Sequence, residues 1–398
     1  MEQRILVITT HPIQYHAPLF AYLTKHGAYQ LKVLYTSGQG AGELYDAEFG
    51  KKRSWNIDLL NGYDYEFLKN NSKNRQADNF FSIRNPEILN KISAYKPTVL
   101  LIFGWKHYSH FQVMRHYKWR IPIVFRGDST TLDDRQGNFF KVAFRYAFLR
   151  WVYSHADFAF SPGTASDKYF LHAGFRSRQI FRAAHAVDND WFKNFSGEER
   201  EALDKLKSQY QITEQETLFV FAGKFTPKKN PILLISAFCA IATDNPGARL
   251  FLVGDGILEE KMKSKCQSLP DSVAQRISIL PFQDQPGMKL IYRLANVFVL
   301  PSAGPGETWG LSVNEALACG TPVIVSNQCG CTLDLVKDGI NGYVFESGNI
   351  SSLQQKMVVF CDKKVRNQFS ANTFSSLEAF GFQSFKVSLD RLMQSLGK

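Results

Sequence analysis

At 398 residues, 44% of them apolar, the chain is longer than one usual hydrophobic core and suits two globular domains of roughly 200 residues or fewer each. No window reaches the roughly 18 uninterrupted apolar residues of a spanning helix, and the opening MEQRILVITTHP lacks the apolar region of a signal peptide, so a cytoplasmic chain is expected. The net charge of +11 is lopsided: residues 1–190 hold 25 Lys and Arg against 16 Asp and Glu, with all nine His, and no nucleic-acid motif accompanies them, which sets nucleic acid aside and leaves an anionic lipid surface or an acidic acceptor.

In chain order, ILVITT opens a strand, a helix is expected from about Pro18 to Lys25, and strands follow at LKVLYTS, TVLLIFG, PIVFRG and DFAFSPG. This alternation implies a parallel sheet covered on both faces. After the first strand, THPIQYHAPLF offers His11, Gln14, Tyr15 and His16 at a strand's C-terminal end, where open parallel sheets bind ligands. These side chains could grip an acceptor; equally, Pro12 and Pro18 could shape a structural loop whose histidines bond backbone. IPIVFRGDS sets Arg126 and Asp128 at another strand end, as a ligand-orienting couple or a salt bridge. FFKVAFRYAFLRW places Phe140, Phe144, Ala147, Phe148 and Trp151 on one helical face and Lys141 and Arg145 on another. A face this aromatic is expected in the core, against the sheet; the alternative is a helix lying on a membrane surface.

Residues 188–213 turn charged and helical, as a domain crossing does. TLFVFAGKFTPKKNPILLISAF then reads as a strand ending at Gly223 and a helix opening at Pro231, with Lys224 and Lys229 between them. Two ammonium groups beside a helix N-terminus make a diphosphate clamp, although a solvated loop that includes Lys228 would look the same. ARLFLVGDG is a strand whose Gly254, Asp255 and Gly256 form a tight connection outside the site, and Ile277–Pro281 is a further strand. NVFVL is a short buried strand, and PSAGPGETWGLSVNEALACGTPVI follows it with a turn at Gly304, Pro305 and Gly306 and a helix from near Gly310. Glu307 falls on the loop and Glu315 about one and a half turns into the helix. The helix N-terminus suits an anion, and carboxylates suit vicinal hydroxyls. The spacing alone fits two solvated glutamates as well. Strands at Pro322–Ser326 and Gly342–Phe345 and a helical pattern over 380–396 complete the chain. The six cysteines lack CxxC pairs or nearby histidines, so reduced, mostly buried thiols are expected; Cys329 and Cys331 alone do not make a metal site.

ETWGLSVNEALACGTPVI closely resembles the donor-site signature of the retaining glycosyltransferases of family four, also called glycosyl transferases group 1. LVGDG and GCTLDLVKDGINGYVF continue the resemblance, which is specific over about residues 215–346 and looser before them. It implies an α/β chain of GT-B fold, two Rossmann-like parallel-sheet domains facing an interdomain cleft: an acceptor domain over 1–190, a nucleotide-sugar domain over 191–375, and a helix over 376–398 crossing back to the first. It implies that Glu307 faces the donor sugar and Glu315 the ribose, that the backbone of Trp309, Gly310 and Leu311 meets sugar and phosphate, and that Gly223 with Lys224 and Lys229 holds the diphosphate. PFQDQ would lie near the base, and His11, Gln14, Tyr15, His16 and Arg126 would serve the acceptor. The departures are Lys224 for the usual Arg, which loses the bidentate fork, Trp309 where Phe is commoner, Asp334 for Glu, THPIQYHAPLF where a glycine pair is frequent, and Asp128 where many members place a histidine near the reaction centre. The implied activity moves a sugar from a nucleotide diphosphate sugar to a glycan or lipid-linked hydroxyl acceptor, in surface polysaccharide or lipid-linked glycan assembly. It needs no metal and no cofactor beyond that co-substrate, and places the protein against the inner face of an anionic membrane. A sugar-nucleotide isomerase or hydrolase, or a non-catalytic sugar-nucleotide-binding subunit, are the alternatives.

Overall fold

The structure is a computed structural model and describes residues 3–37, 44–46, 51–53, 58–73, 79–132, 138–304 and 306–397. Pro305, read from the sequence as part of a turn, lies outside them. The chain divides into two compact units, one containing Lys51–Ala186, the residues up to Asp46 and Phe382–Lys398, the other Val187–Gly381.

The first unit contains strands β1 (Arg4–Thr9), β2 (Gln30–Tyr35), β3 (Leu44–Asp46), β4 (Lys51–Arg53), β5 (Asp64–Phe67), β6 (Val99–Phe103), β7 (Ile123–Arg126), β8 (Phe158–Ser161) and β9 (Ile180–Arg182). Seven of them form a parallel sheet in the order β5-β2-β1-β6-β7-β8-β9, while β3 and β4 pair as an antiparallel hairpin. Alternation along β1 sends Ile5 and Val7 to one apolar cluster and Leu6 and Ile8 to the other, as a strand buried on both faces requires. The edge strands β5 and β9 and the hairpin were not evident from sequence, because DYEF and IFR are too short or too polar to stand out as apolar runs.

The last helix, Phe382–Leu396, belongs to this unit. Its Phe385, Leu389, Leu392 and Met393 recur at helical spacing and join the cluster of Ile5 and Val7. Phe385 meets Phe160 of β8 edge-on at 5.5 Å, and the Ser388 hydroxyl donates to the Arg182 carbonyl of β9.

The helix Phe139–Tyr153 corrects the expectation of a core face. Phe140 and Phe144 are 80% and 77% exposed and Trp151 and Phe148 50% and 43%, whereas Leu149, Val152 and Tyr153 are buried. Apolar residues run round more of this helix than the sheet can cover, so packing takes the edge near its C-terminus and leaves the aromatic face to solvent. Rings join that face to the preceding helix, Tyr108–Tyr117, through Trp151 on Phe111 at 5.2 Å.

The second unit contains β10 (Thr217–Ala222), β11 (Ala248–Val253), β12 (Ile277–Leu280), β13 (Val297–Leu300), β14 (Val323–Ser326) and β15 (Gly342–Phe345), all parallel in the order β12-β11-β10-β13-β14-β15. The order reverses beside β1 in the first unit, between β1 and β6, and between β10 and β13 in the second. The loops after such neighbours diverge to opposite faces and leave a crevice at the strands' C-terminal ends. All six cysteines are free; Cys319, Cys329 and Cys331 are buried, and Cys239, Cys266 and Cys361 half-buried.

Replacing Leu389, fully buried on the last helix, with alanine removes a large side chain from the first unit's core. The expected loss is about 2–5 kcal/mol, read as a lowered urea midpoint of the first unit's transition; an unchanged midpoint would mean that the helix is not part of that core.

Candidate active site

In the second unit the reversal between β10 and β13 brings the lysine loop and the glutamate loop together. Lys229 Nζ stands 2.6 Å from Glu307 Oε2, and both side chains are largely buried. The Ser302 hydroxyl, fully buried just after β13, donates to the same Oε2 at 3.1 Å. Lys228 Nζ donates to the Gly306 carbonyl at 3.3 Å, tying the two loops at a second point. Beneath them lies Gly330: a Cβ there would stand 1.7 Å from the Thr308 carbonyl oxygen, so only glycine lets the two backbones approach this closely. Lys224, half-buried, shares the loop that follows Gly223.

Gly310 caps the helix Leu311–Ala318 with φ 96°, and Glu315 is buried on that helix, where the Tyr292 hydroxyl donates to its Oε2 at 2.8 Å. The Trp309 side chain is buried and turned inward: its indole N–H donates to Asn314 Oδ1 at 2.8 Å and its ring packs on Phe380. Only its backbone is left to meet a ligand. Gly254 fills the structural role expected of it, since a Cβ would stand 2.1 Å from the Gly223 carbonyl oxygen. The arrangement offers a cation and a fixed carboxylate at the mouth of a helix N-terminus, with a second carboxylate further along the helix. These are the groups needed to hold an anion at one end and hydroxyls at the other.

In the first unit, β1, β7 and the segment after β9 converge in the same manner. The His16 ring lies 4.7 Å from Phe103 and is stacked on His185 at 6.1 Å. Arg126, buried, donates through its two terminal nitrogens to the carbonyls of Phe160 and Ala184, each at 3.2 Å, and its guanidinium lies 6.0 Å from the Phe385 ring. Burial pulls Arg126 down to about 10, with Asp128 opposing. Burial, then His185 and Arg126, lower His16 to about 3, and burial and Arg126 lower His185 to about 3. His11, bonded to Thr10 Oγ1 at 3.0 Å, is also lowered, by burial and His107. Neutral imidazoles therefore cluster here. Gln14 Oε1 and His16 Nδ1 are sealed polar atoms with no hydrogen-bond partner among the described residues, and Tyr15 is half-buried beside them. The structure thus gathers His16, Arg126 and Asp128 around one point.

Sequence reasoning missed Ser302, Tyr292 and His185, and read Lys228 only as part of a solvated loop. Ser302 carried a weak signal as the first polar side chain after an apolar strand; Tyr292 carried none, because its partner lies on a separate helix.

Comparison with known proteins bears on what these groups serve. The chain superposes on Anabaena HepE, solved in complex with UDP and glucose, over 99% of this chain and 100% of that one, with a TM-score of 0.70 at 15% identity. The two sheets thus define a GT-B fold. Residues 203–375, which hold the lysine loop, the glutamate loop and Glu315, match the family model of the glycosyl transferases group 1. Among curated relatives, a UDP-Gal:alpha-D-GlcNAc-diphosphoundecaprenol alpha-1,3-galactosyltransferase of Escherichia coli is 32% identical over 157 residues, 39% of each chain. A D-inositol 3-phosphate glycosyltransferase of Segniliparus rotundus is 29% identical over 145 residues, 35% of this chain and 31% of the relative. The chain thus spans well under half the length of these relatives.

The lowered histidines set an acid limit on the first unit. A folded chain that refuses protons until near pH 3 competes with an unfolded chain whose histidines accept them near 6.5. Stability is fully present above pH 6.5 and falls, as pH drops, by about 1.4 kcal/mol per pH unit for each such histidine. Urea unfolding at pH 7.5 and 5.5 should show that loss, with a shallower pH dependence in His185→Gln; an identical dependence in the variant would contradict a neutral buried imidazole.

Proposed function

We propose that the chain is a retaining, metal-independent glycosyltransferase that moves a sugar from a nucleotide diphosphate sugar to a hydroxyl acceptor. The observation that carries this reading is the contact of Lys229 with Glu307 at the strand-order reversal, inside a domain of the group 1 family. In the proposed reaction the bond from the sugar's C1 to the diphosphate oxygen breaks, the acceptor oxygen bonds to C1 on the same face, and the acceptor's proton passes to an oxygen of the departing diphosphate. Lys224 and Lys229 neutralise that leaving group, so a divalent cation is not needed. Lys229, whose ammonium has three donors, bridges Glu307 and the arriving diphosphate, and Glu307 receives the sugar's hydroxyls. Glu315, steadied by Tyr292, holds the ribose, and the backbone of Trp309, Gly310 and Leu311 lines sugar and phosphate. On the first unit His11, Gln14, Tyr15, His16 and Arg126 bind the acceptor and Asp128 orients its reacting hydroxyl; a neutral His16 can accept a hydroxyl hydrogen bond, which an imidazolium cannot. Preorganised charge supplies most of the rate.

A uridine diphosphate hexose as donor and a lipid-linked or polysaccharide acceptor fit the substrates in the name of the E. coli relative and the ligands of HepE. Thermal shift with UDP, GDP and ADP and their sugar conjugates should single out one nucleotide. A folded Lys224→Ala, Lys229→Ala double variant should lose that shift. Turnover should require an added acceptor, survive EDTA and keep the donor's anomeric configuration by NMR. Turnover without acceptor would favour an isomerase or hydrolase, and binding without turnover a sugar-nucleotide-binding subunit.

No helix among the described residues is long and apolar enough to cross a membrane. The exposed Phe140, Phe144, Phe148 and Trp151, on a helix that also carries exposed Lys141 and Arg150, favour peripheral binding to the inner face of an anionic membrane. Co-sedimentation with phosphatidylglycerol vesicles should drop at least tenfold in Phe140→Ser, Phe144→Ser and weaken with salt; binding that ignores both changes would rule the helix out.

A further inference from the structure

The Glu307 carboxylate is held asymmetrically. Lys229 Nζ and the Ser302 hydroxyl both fall on Oε2, at 2.6 and 3.1 Å. Oε1 receives no hydrogen bond from the described residues, and it is not among the polar atoms sealed from solvent without a partner. It lies 3.8 Å from where a Cβ on Gly310 would stand, so it faces the helix N-terminus where a bare glycine leaves room.

Lysine alone would not produce this. An ammonium is a compact charge on a flexible stem and attracts either oxygen of a carboxylate equally. Ser302 breaks the equivalence, because its own position is fixed. It is fully buried immediately after β13, and its carbonyl accepts from the Ser347 hydroxyl at 3.3 Å. With Oε2 saturated by two donors, Oε1 is the oxygen left to accept.

We propose that Ser302 is a positioning residue, which pins Oε2 of Glu307 so that Oε1 is presented to a hydroxyl of the donor's sugar. This rests on reading the second unit as a nucleotide-sugar site. A hydroxyl acting through the carboxylate affects recognition of the sugar and leaves the diphosphate, bound by lysines and backbone, unaffected. Replacing Ser302 frees the carboxylate to swivel about Lys229, so the sugar loses a directed charge-assisted hydrogen bond, worth about tenfold in affinity.

The test is isothermal titration of wild type, Ser302→Ala, Glu307→Ala and the double variant with UDP and UDP-glucose, GDP and GDP-mannose, and ADP and ADP-glucose. The quantity read is the ratio of sugar-nucleotide affinity to that of the matching diphosphate. Ser302→Ala is expected to lower the ratio about tenfold and change diphosphate affinity less than about twofold. In the Glu307→Ala background the same substitution should leave the ratio within about twofold, since the two groups act as one. Ser302→Cys, nearly isosteric with a weaker donor, should move the ratio in the same direction by less, and guards against an alanine variant that does not fold. An unchanged ratio in folded Ser302 variants, an equal loss for diphosphate and sugar nucleotide, or independent effects of the two substitutions would overturn the proposal while leaving the donor site standing. If no diphosphate binds the wild type, the donor-site reading itself fails, and this proposal with it.

Discussion

The reversal of strand order beside β10 is the constraint on which the rest of the second unit depends. A parallel sheet built outward in both directions from one strand sends its neighbouring loops apart at their C-terminal ends, and the gap between them cannot be filled by either. Here those loops are the one after β10, with its lysines, and the one after β13, with Glu307. The pairing of β10 with β13 sets their distance, and the 2.6 Å contact between Lys229 and Glu307 follows from it. The glycines then have a plain purpose. Gly330 lets a second layer of chain pass directly under the glutamate loop, and Gly310 turns the backbone into the helix at the point where an ordinary residue would be strained.

The two units use one architecture for unlike chemistry. Around Glu307 the structure places charge, and the opposite charges stand in contact before any ligand arrives. Around His16 it places rings whose ionisation burial suppresses, next to a guanidinium anchored on backbone carbonyls. The first arrangement suits a ligand rich in negative charge; the second suits hydroxyls, which both donate and accept. Buried imidazoles beside a buried arginine are sensitive to acid, because burial and the guanidinium outweigh the help Asp128 gives to an added proton.

What could be read from the sequence follows from how physical signals survive without coordinates. Strands buried on both faces, such as LFVFA and VFVL, advertise themselves as apolar runs, and the helix opening at Pro231 announces itself by the proline. The short edge strands β5 and β9 carry no such run and escaped. Glu307 and Lys229 stood out because their motifs are local, whereas Tyr292 matters through a partner on a different element, which spacing does not encode, and Ser302, on the same loop as Glu307, showed only as the polar residue that ends a strand. The aromatic helix misled for a clear reason. Its periodicity reports a face that avoids water, and that property is shared by a helix awaiting a core and one awaiting something outside the chain.

The last helix has a consequence for how the chain is made. Phe385, Leu389, Leu392 and Met393 complete a core begun by Ile5 and Val7, with the whole second unit encoded between them. During synthesis from the N-terminus the second unit has all its residues before the first does. The first unit therefore waits, with an uncovered apolar groove, until the helix Phe382–Leu396 leaves the ribosome. A chain cut short after Gly381 would keep Val187–Gly381 of the second unit whole and never close the core of the first, so presence of the last helix is checked by folding itself.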